Sequence, residues 1–285
     1  MTTMSQRIVS APEVSKSSER MIDQLSRSKR REARRRVGWG VATPLAVLVL
    51  WELASQTGLV DENFFPAPTT VLRESVNYIT DPALRSELLA NMRHSGARLI
   101  IGFGLGSIAG LAVGLAMGLV PVVRYALSAL INATYPLPKL ALYPLMIIFF
   151  GIGNTSMMAL VTLGVFFMVC INTVAGVTYS PPVYGEVAQA FQVPRHVRLL
   201  RITIPAAIPS VIGGLRLGFG QALIIVVSTE FVSGQDGVGF MIWNSWQVLN
   251  VSAMFVGLAI VALVGWIGSL IINAIGRRAV PWQDD

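Results

Sequence analysis

Charged residues are scarce in this chain. Asp, Glu, Lys and Arg make up 13% of the 285 residues, whereas hydrophobic residues make up 53%. A soluble domain carries about 25% charged residues, so the composition excludes a soluble globular protein. Several nearly uncharged windows reach the roughly 18 residues that a helix needs to cross a bilayer. Because backbone polar groups in lipid must be paired within the chain, the sequence predicts an all-α, polytopic membrane helix bundle.

Cysteine and histidine are also rare. The chain has one cysteine, Cys170, and two histidines, His94 and His196, which lie far apart in the sequence. A disulfide within the chain is excluded, and we expect no metal site and no catalytic residues. None of the three lysines follows a glycine, so the chain has no phosphate-binding loop of the Gly-Lys type.

The positive charge is concentrated at the start of the chain. Ten of the 22 basic residues precede residue 37. Basic residues next to a span keep that side of the protein in the cytoplasm; a nucleic-acid-binding arm is the alternative, and contact with anionic lipid is compatible with either. We therefore expect residues 1–36 to be a cytoplasmic basic arm, disordered, ahead of the first span.

The hydrophobic pattern predicts about six spans in a permease-like domain over residues 37–275. Charge supports their orientation: sixteen basic residues fall on the predicted inside, and the 58–97 connection has three basic and five acidic residues. Within that connection, Val71, Leu72, Val76 and Ile79 predict an amphipathic helix along the outer surface. Residues 179–205 form a cytoplasmic loop, and 276–285 form a cytoplasmic tail. The predicted spans are 37–56, 98–119, 125–150, 156–178, 207–232 and 252–275.

The second span contains glycines at every fourth position, which are Gly102, Gly106, Gly110, Gly114 and Gly118. Small residues along one face let another helix approach closely. Ordinary tolerance of glycine in membrane helices is the alternative. The regular spacing favours a helix-packing face.

The third span is interrupted by Pro136, Pro138 and Pro144. Each proline removes a backbone donor, so the helix must kink or open. Lys139 lies near its middle, where a charge is functional by default. Three roles are open for Lys139. It lines a translocation pathway, its side chain extends towards a membrane–water interface, or it pairs with a carboxylate such as Glu52 or Glu230.

One polar block, residues 186–205, lies between two apolar runs on the predicted cytoplasmic side. Pro181 and Pro182 favour a helix start before it, and Pro194 breaks it. The block predicts a short helix, a turn and a second helix. A solvated loop is the alternative, but Val187, Ala188 and Phe191 are unusual residues for one.

At these residues the sequence resembles the permeases of binding-protein-dependent ABC importers. The signature of that family is Glu-Ala-Ala, three residues, Gly, nine residues, Ile, one residue, Leu-Pro. Glu186, Ala188, Ile202 and Pro205 match it in register, with Val187 in place of the first Ala and Ile204 in place of the Leu. Gln192 replaces the signature glycine, and this substitution has a conformational cost if φ is positive there.

The resemblance extends over residues 37–282 and is strongest to the nitrate, sulfonate and taurine branch. The motifs that carry it are Pro66-x-Pro68, Ser95-Gly96-Ala97-Arg98, Pro136-x-Pro138-Lys139, Pro144, Gly151-Ile152-Gly153, Glu230, Gly237-Val238-Gly239 and Trp282.

The resemblance implies a type I importer permease, acting as a homodimer in the bacterial inner membrane. An extracytoplasmic solute-binding protein would deliver a small organic or inorganic anion, such as a sulfonate, nitrate or carboxylate. Two separate ATPase subunits would bind ATP and Mg²⁺, and this chain would hold no cofactor. The residues expected to dock the ATPase are Glu186, Val187, Ala188, Phe191, Gln192, Arg195, Ile204 and Pro205.

The pathway residues expected from the sequence are Pro136, Pro138, Lys139 and Glu230. A secondary transporter driven by an ion gradient is the main alternative function, with Glu52, Lys139 and Glu230 as titrating groups. That alternative does not account for the signature loop, and no inverted repeat is visible.

Overall fold

A computed structural model describes residues 35, 38–178 and 187–281. The described residues form helices without strands, which confirms the all-α fold. Most of the predicted arm, together with Glu186 and Trp282, lies outside the described residues. The helices are α1 Gly38–Gln56, α2 Pro68–Thr80, α3 Pro82–Leu119, α4 Pro121–Thr134, α5 Tyr143–Phe150, α6 Asn154–Thr178, α7 Arg195–Ser233, α8 Val238–Gln247 and α9 Val251–Ala279.

Five of these helices, α1, α3, α6, α7 and α9, are long and apolar enough to cross a membrane. The pair α4 and α5 supplies a sixth span if it is counted as one broken helix. The chain divides into two compact units, residues 1–69 and 70–285. In the first unit, Glu52 accepts hydrogen bonds from the Thr69 backbone N–H (3.0 Å) and hydroxyl (2.7 Å).

The glycine ladder of α3 faces α6 along its whole length. A Cβ placed at any of the five glycines would lie 2.6 to 2.8 Å from an atom of α6, so no larger residue fits without a shift of the helices. The facing residues on α6 are also four apart: Val161, Val165, Val169, Thr173 and Val177. Rows of residues four apart on both helices interlock in this way.

Helix α6 lies at the centre of the second unit, between α3 and α7. Its residues Leu160, Val165 and Val169 are fully buried and share a core with Ala222 and Ile225 of α7. The helix has small residues towards α7 as well: a Cβ at Gly176 would lie 2.7 Å from Ser210 Cβ. The second unit is therefore held together by small residues on both sides of one central helix.

The predicted third span consists of two helices rather than one. The axes of α4 and of residues 139–150 differ by 97°. Pro136 and Pro138 lie in the connection, and neither has an N–H to continue α4.

Helix α3 begins sixteen residues before the predicted second span. Asp81 caps its start, since the Asp81 carboxylate accepts from the backbone N–H groups of Ala83 (2.8 Å) and Leu84 (3.1 Å). The helix has 38 residues and is about 57 Å long, roughly twice the thickness of a bilayer core. The helix is therefore longer than a bilayer crossing requires, and Arg98 lies sixteen residues after its start.

Candidate coupling segment and buried polar network

The described part of the signature block, residues 187–205, begins with one helical turn over residues 187–190. The Gln192 N–H donates to Gln189 O (3.0 Å), and the Val193 N–H donates to Ala188 O (2.9 Å). These two bonds form a Schellman motif, in which the residue after the helix cap adopts a positive φ. Gln192 has a φ of 51°. The turn therefore has the geometry for which the signature uses glycine, with a glutamine in that position.

Two apolar side chains beside this turn are exposed. Phe191 is 79% exposed and Val187 is 51% exposed, whereas Ala188 is buried. Arg195, on the other side of the turn, is exposed as well. An exposed aromatic ring rimmed by polar residues is typical of a surface that binds a partner.

The segment continues directly into the span α7. A wide π turn, Leu199–Thr203, follows the first four residues of α7, and the Ile204 N–H bonds to Leu199 O. Pro205 and Pro209 come directly after it and lack the N–H groups that a regular helix needs. The helix nevertheless remains continuous from Arg195 to Ser233. The turn at Gln192 is therefore separated by two residues from a helix that is long and apolar enough to cross a membrane.

Lys139 closes the end of α4. Its ammonium group donates to the carbonyl oxygens of Tyr135 (2.6 Å), Leu137 (2.9 Å) and Thr134 (3.4 Å), and it lies 4.7 Å from the centre of the Phe167 ring. A cation at a helix C-terminus is stabilised by the unpaired carbonyls there. The structure thus gives Lys139 carbonyl partners in place of a carboxylate. Its role in the pathway, with Pro136 and Pro138 beside it, stays a prediction.

Arg98 is the centre of a buried polar network. Its Nη1 donates to Glu230 Oε1 (2.6 Å) and Asp236 O (3.0 Å), its Nε donates to Asn154 Oδ1 (2.8 Å), and its Nη2 bonds to the Asp236 carboxylate. Arg98 is 4% exposed and Glu230 is fully buried. One guanidinium therefore connects α3, the start of α6, the end of α7 and the loop before α8.

The Glu230 carboxylate has further donors. It accepts from Ser95 Oγ (2.8 Å) and from the Gly239 N–H (2.8 Å). The Gly237 N–H donates to Asn91 Oδ1 (2.8 Å), and the φ of Gly237 is 108°. A Cβ at Gly237 would collide with the carboxylate. The glycines of this loop are thus required by the close approach of Glu230.

These contacts give Glu230 a role in holding three elements together: α3, the end of α7 and the start of α8. Buried charges are costly unless they are paired and hydrogen-bonded, and both conditions are met here. The assignment of Glu230 to the translocation pathway stays a prediction. Sequence analysis missed Asn91, Asn154 and Asp236, and it treated Arg98 only as part of a motif. The only sign of this network in the sequence was that Arg98 and Glu230 each lie at or near the end of a predicted span.

Within the described residues, no group of three or more His, Cys, Asp or Glu side chains converges on a point that a metal ion could occupy. The described residues form a tightly packed helix bundle, a buried polar network around Arg98 and an exposed apolar surface at Phe191.

Comparison with known proteins decides the family. The model of the inner membrane component of binding-protein-dependent transport systems matches residues 102–283. The chain belongs to this family. This membership confirms the resemblance seen in the sequence, and it does not favour the ion-gradient alternative.

Relatives fall in the expected branch. The taurine transport system permease protein of Escherichia coli (strain K12) is 31% identical over 253 residues, which cover 88% of this chain and 92% of that protein. A putative aliphatic sulfonates transport permease of Bacillus subtilis (strain 168) is 29% identical, with 90% and 92% covered. The nitrate import permease of Leptolyngbya laminosa is 27% identical, with 85% and 88% covered.

A solved structure shares the fold. The methionine ABC transporter MetNI, in an inward-facing conformation, contains a chain with a TM-score of 0.59 and 16% identity. The match covers 70% of this chain and 99% of that one. The protein is thus a multi-pass inner membrane permease of an ATP-driven importer, and it forms a translocation pathway for a small solute.

Proposed function

We propose that residues 186–205 are the coupling element through which a separate ATPase subunit moves this permease. The observation that carries the proposal is the Schellman turn at Gln192, with Phe191 exposed beside it. Only Val193 and Pro194 separate the turn from the start of α7, so docking would act on a span through a short link. ATP and Mg²⁺ bind to the ATPase, since no Gly-Lys of a phosphate-binding loop occurs in this sequence.

The same proposal fixes the orientation. The end of the bundle with residues 187–205 and the last turn of α9 faces the cytoplasm, because Arg195, Arg198, Arg201, Arg277 and Arg278 lie there. The 58–97 connection and α8 face outward, where a solute-binding protein delivers the substrate. Two copies of the chain enclose the pathway in the two-fold arrangement that is usual for oligomers.

The substrate in this proposal is a small anion. The names of three relatives support it, since they are permeases for taurine, aliphatic sulfonates and nitrate. Competition in reconstituted vesicles that contain the binding protein tests it: sulfonates or nitrate compete for ATP-dependent uptake, and cationic solutes do not. Uptake that follows an imposed proton gradient without ATP contradicts the importer mechanism itself.

Docking is tested by co-purification with the ATPase. We predict that Phe191→Asp abolishes ATPase association while the protein remains inserted, since it places a charge in the centre of the contact. Leu59→Asp is the matched control, because Leu59 is 81% exposed and lies outside the segment. Glu186→Lys is expected to act like Phe191→Asp. Association that survives both changes in the segment contradicts the docking role.

Orientation is tested with a membrane-impermeant maleimide. The single Cys170 is buried, so an introduced cysteine supplies the accessible thiol. In intact cells the maleimide should label Glu62→Cys and leave Gln189→Cys unlabelled. Gln189→Cys should be labelled only after the cells are permeabilised. The reverse pattern contradicts the proposed topology.

A further inference from the structure

A polar cavity opens between α7 and α9, near the end of α9. Its volume is about 370 Å³. The cavity lies within the last two turns of α9, so it is about 10 Å or less from the end of that helix. The residues that shape it include Pro209, Ile212 and Arg216 of α7 and Asn273, Gly276 and Arg277 of α9.

Two cationic side chains, Arg216 and Arg277, line the cavity. Arg216 and Arg277 form no ion pair within the described part of the chain. The acidic residues of that part all lie in residues 52–87 or at Glu230 and Asp236. Guanidinium groups bind phosphate-type oxyanions through paired N–H donors. The two arginines therefore favour an anionic ligand.

Asn273 adds a second requirement. Its Oδ1 atom is buried and has no hydrogen-bond partner among the described residues. A buried acceptor left without a donor is costly, and an oxyanion cannot satisfy it, because it has no hydrogen to donate. The ligand that fits both observations has an oxyanion and, close to it, a hydroxyl or ammonium donor.

We propose that this cavity binds the headgroup of an anionic phospholipid whose phosphate is linked to a hydrogen-bond donor, as in phosphatidylglycerol. The phosphate contacts Arg216 and Arg277. A rotation of the Asn273 side chain brings its Oδ1 atom, which is buried in the unliganded structure, to the cavity, where a headgroup hydroxyl donates to it. The position favours a lipid over a free oxyanion. The cavity lies at the level where α9 ends, and exposed apolar side chains, Leu217 of α7 and Ile275 of α9, are available to acyl chains. Basic pockets between spans bind such headgroups.

Native mass spectrometry of the full-length protein, released from nanodiscs of defined lipid, tests the proposal. In nanodiscs that contain phosphatidylglycerol and phosphatidylcholine in equal amounts, we expect phosphatidylglycerol adducts to dominate. Phosphatidylmethanol, which has the same charge but no headgroup donor, should bind more weakly than phosphatidylglycerol. This readout needs neither transport nor the ATPase, so its failure leaves the proposed function untouched.

Variants locate the site. Arg277→Gln should weaken phosphatidylglycerol binding about fivefold, and Arg216→Gln with Arg277→Gln about thirtyfold, at about 1 kcal/mol for each arginine. Arg278→Gln is the matched control, because Arg278 is adjacent and exposed but does not line the cavity. Asn273→Leu should remove the preference for phosphatidylglycerol over phosphatidylmethanol. If the double glutamine variant does not fold, Arg216→Lys with Arg277→Lys keeps the charge but not the paired donors. It should still prefer phosphatidylglycerol over phosphatidylcholine, while binding phosphatidylglycerol more weakly than the unchanged protein does.

Four results overturn the proposal. The first is equal binding of phosphatidylglycerol and phosphatidylcholine. The second is binding of inorganic phosphate or taurine without any lipid preference, which would assign the arginines to a free oxyanion. The third is loss of the dimer in the double glutamine variant while its lipid adducts are unchanged, which would assign the arginines to the contact between two copies of the chain. The fourth is lipid binding that is absent from the unchanged protein and appears only in the double variant Asp284→Asn with Asp285→Asn. That result would mean that the carboxylates of the C-terminal tail occupy the cavity in place of a lipid.

Discussion

The two ends of α7 are built in opposite ways. Just before its start, Phe191 is exposed and Gln192 has a positive φ, and within its first turns a π turn precedes two prolines. At its end, Glu230 is fully buried and bonded to Arg98, Ser95 and Gly239. One end has an exposed apolar surface and a non-glycine residue with a positive φ, and the other has a buried carboxylate with several hydrogen-bond partners. Under the proposed function, α7 is anchored at its end by this network and engaged at its start by the ATPase.

The largest expected effect comes from breaking the anchored end. Arg98→Met leaves the Glu230 and Asp236 carboxylates without their cation and should lower the stability of the folded state by about 3–5 kcal/mol, as for other buried pairs that lose one partner. The midpoint of thermal unfolding in detergent, followed by size-exclusion chromatography, measures it.

Arg93→Met is the matched control, since Arg93 lies on the same helix and is exposed. It should change stability by less than about 0.5 kcal/mol. Arg98→Lys should not restore stability, because an ammonium group cannot reproduce the planar fork of donors. Equal midpoints for the Arg98 and Arg93 variants would remove the contrast between the two ends of α7.

A smaller effect is expected along the glycine ladder, which holds α3 against α6. In Gly110→Leu, the new side chain meets the Phe166 carbonyl oxygen, 2.8 Å from the Cβ position. Overpacking of this kind costs about 1–3 kcal/mol. The same thermal midpoint measures it. Gly104→Leu is the control, since no described atom lies within 4 Å of a Cβ there. Similar losses in both variants would contradict the ladder as a packing face.

Sequence patterns predicted the packing faces of helices better than they predicted which helix or side chain each face contacts. The four-residue spacing of the glycines identified a packing face on α3, and Val161, Val165 and Val169 repeat with the same spacing on α6. The spacing alone does not pair the two rows, since it specifies a side of a helix and not its neighbour. The prolines near Lys139 predicted a break, but they predicted neither its 97° angle nor the contact of Lys139 with the carbonyls at the end of α4.

The Arg98 network was beyond sequence reasoning for the same reason. Arg98 and Glu230 are 132 positions apart, and no periodicity connects them. The turn at Gln192 was different, because the signature places a glycine there and a glycine indicates a possible positive φ. A local backbone conformation can be predicted from the residue type at one position. A buried ion pair cannot, because it depends on the packing of the whole bundle.

The smallest expected effect is a gain at the engaged end. A non-glycine residue in the left-handed region costs about 1–2 kcal/mol, and Gln192 has a φ of 51°. Gln192→Gly should therefore stabilise the turn by about 1 kcal/mol, after the loss of chain entropy is included. Hydrogen exchange over residues 187–198 should slow, while transport is retained. Gln189→Gly is the opposite control, because Gln189 is helical and a glycine there should destabilise the same turn by about 1 kcal/mol. Faster exchange in Gln192→Gly, or loss of transport, would mean that the glutamine side chain itself contributes to docking, and the engaged end would then depend on more than its backbone shape.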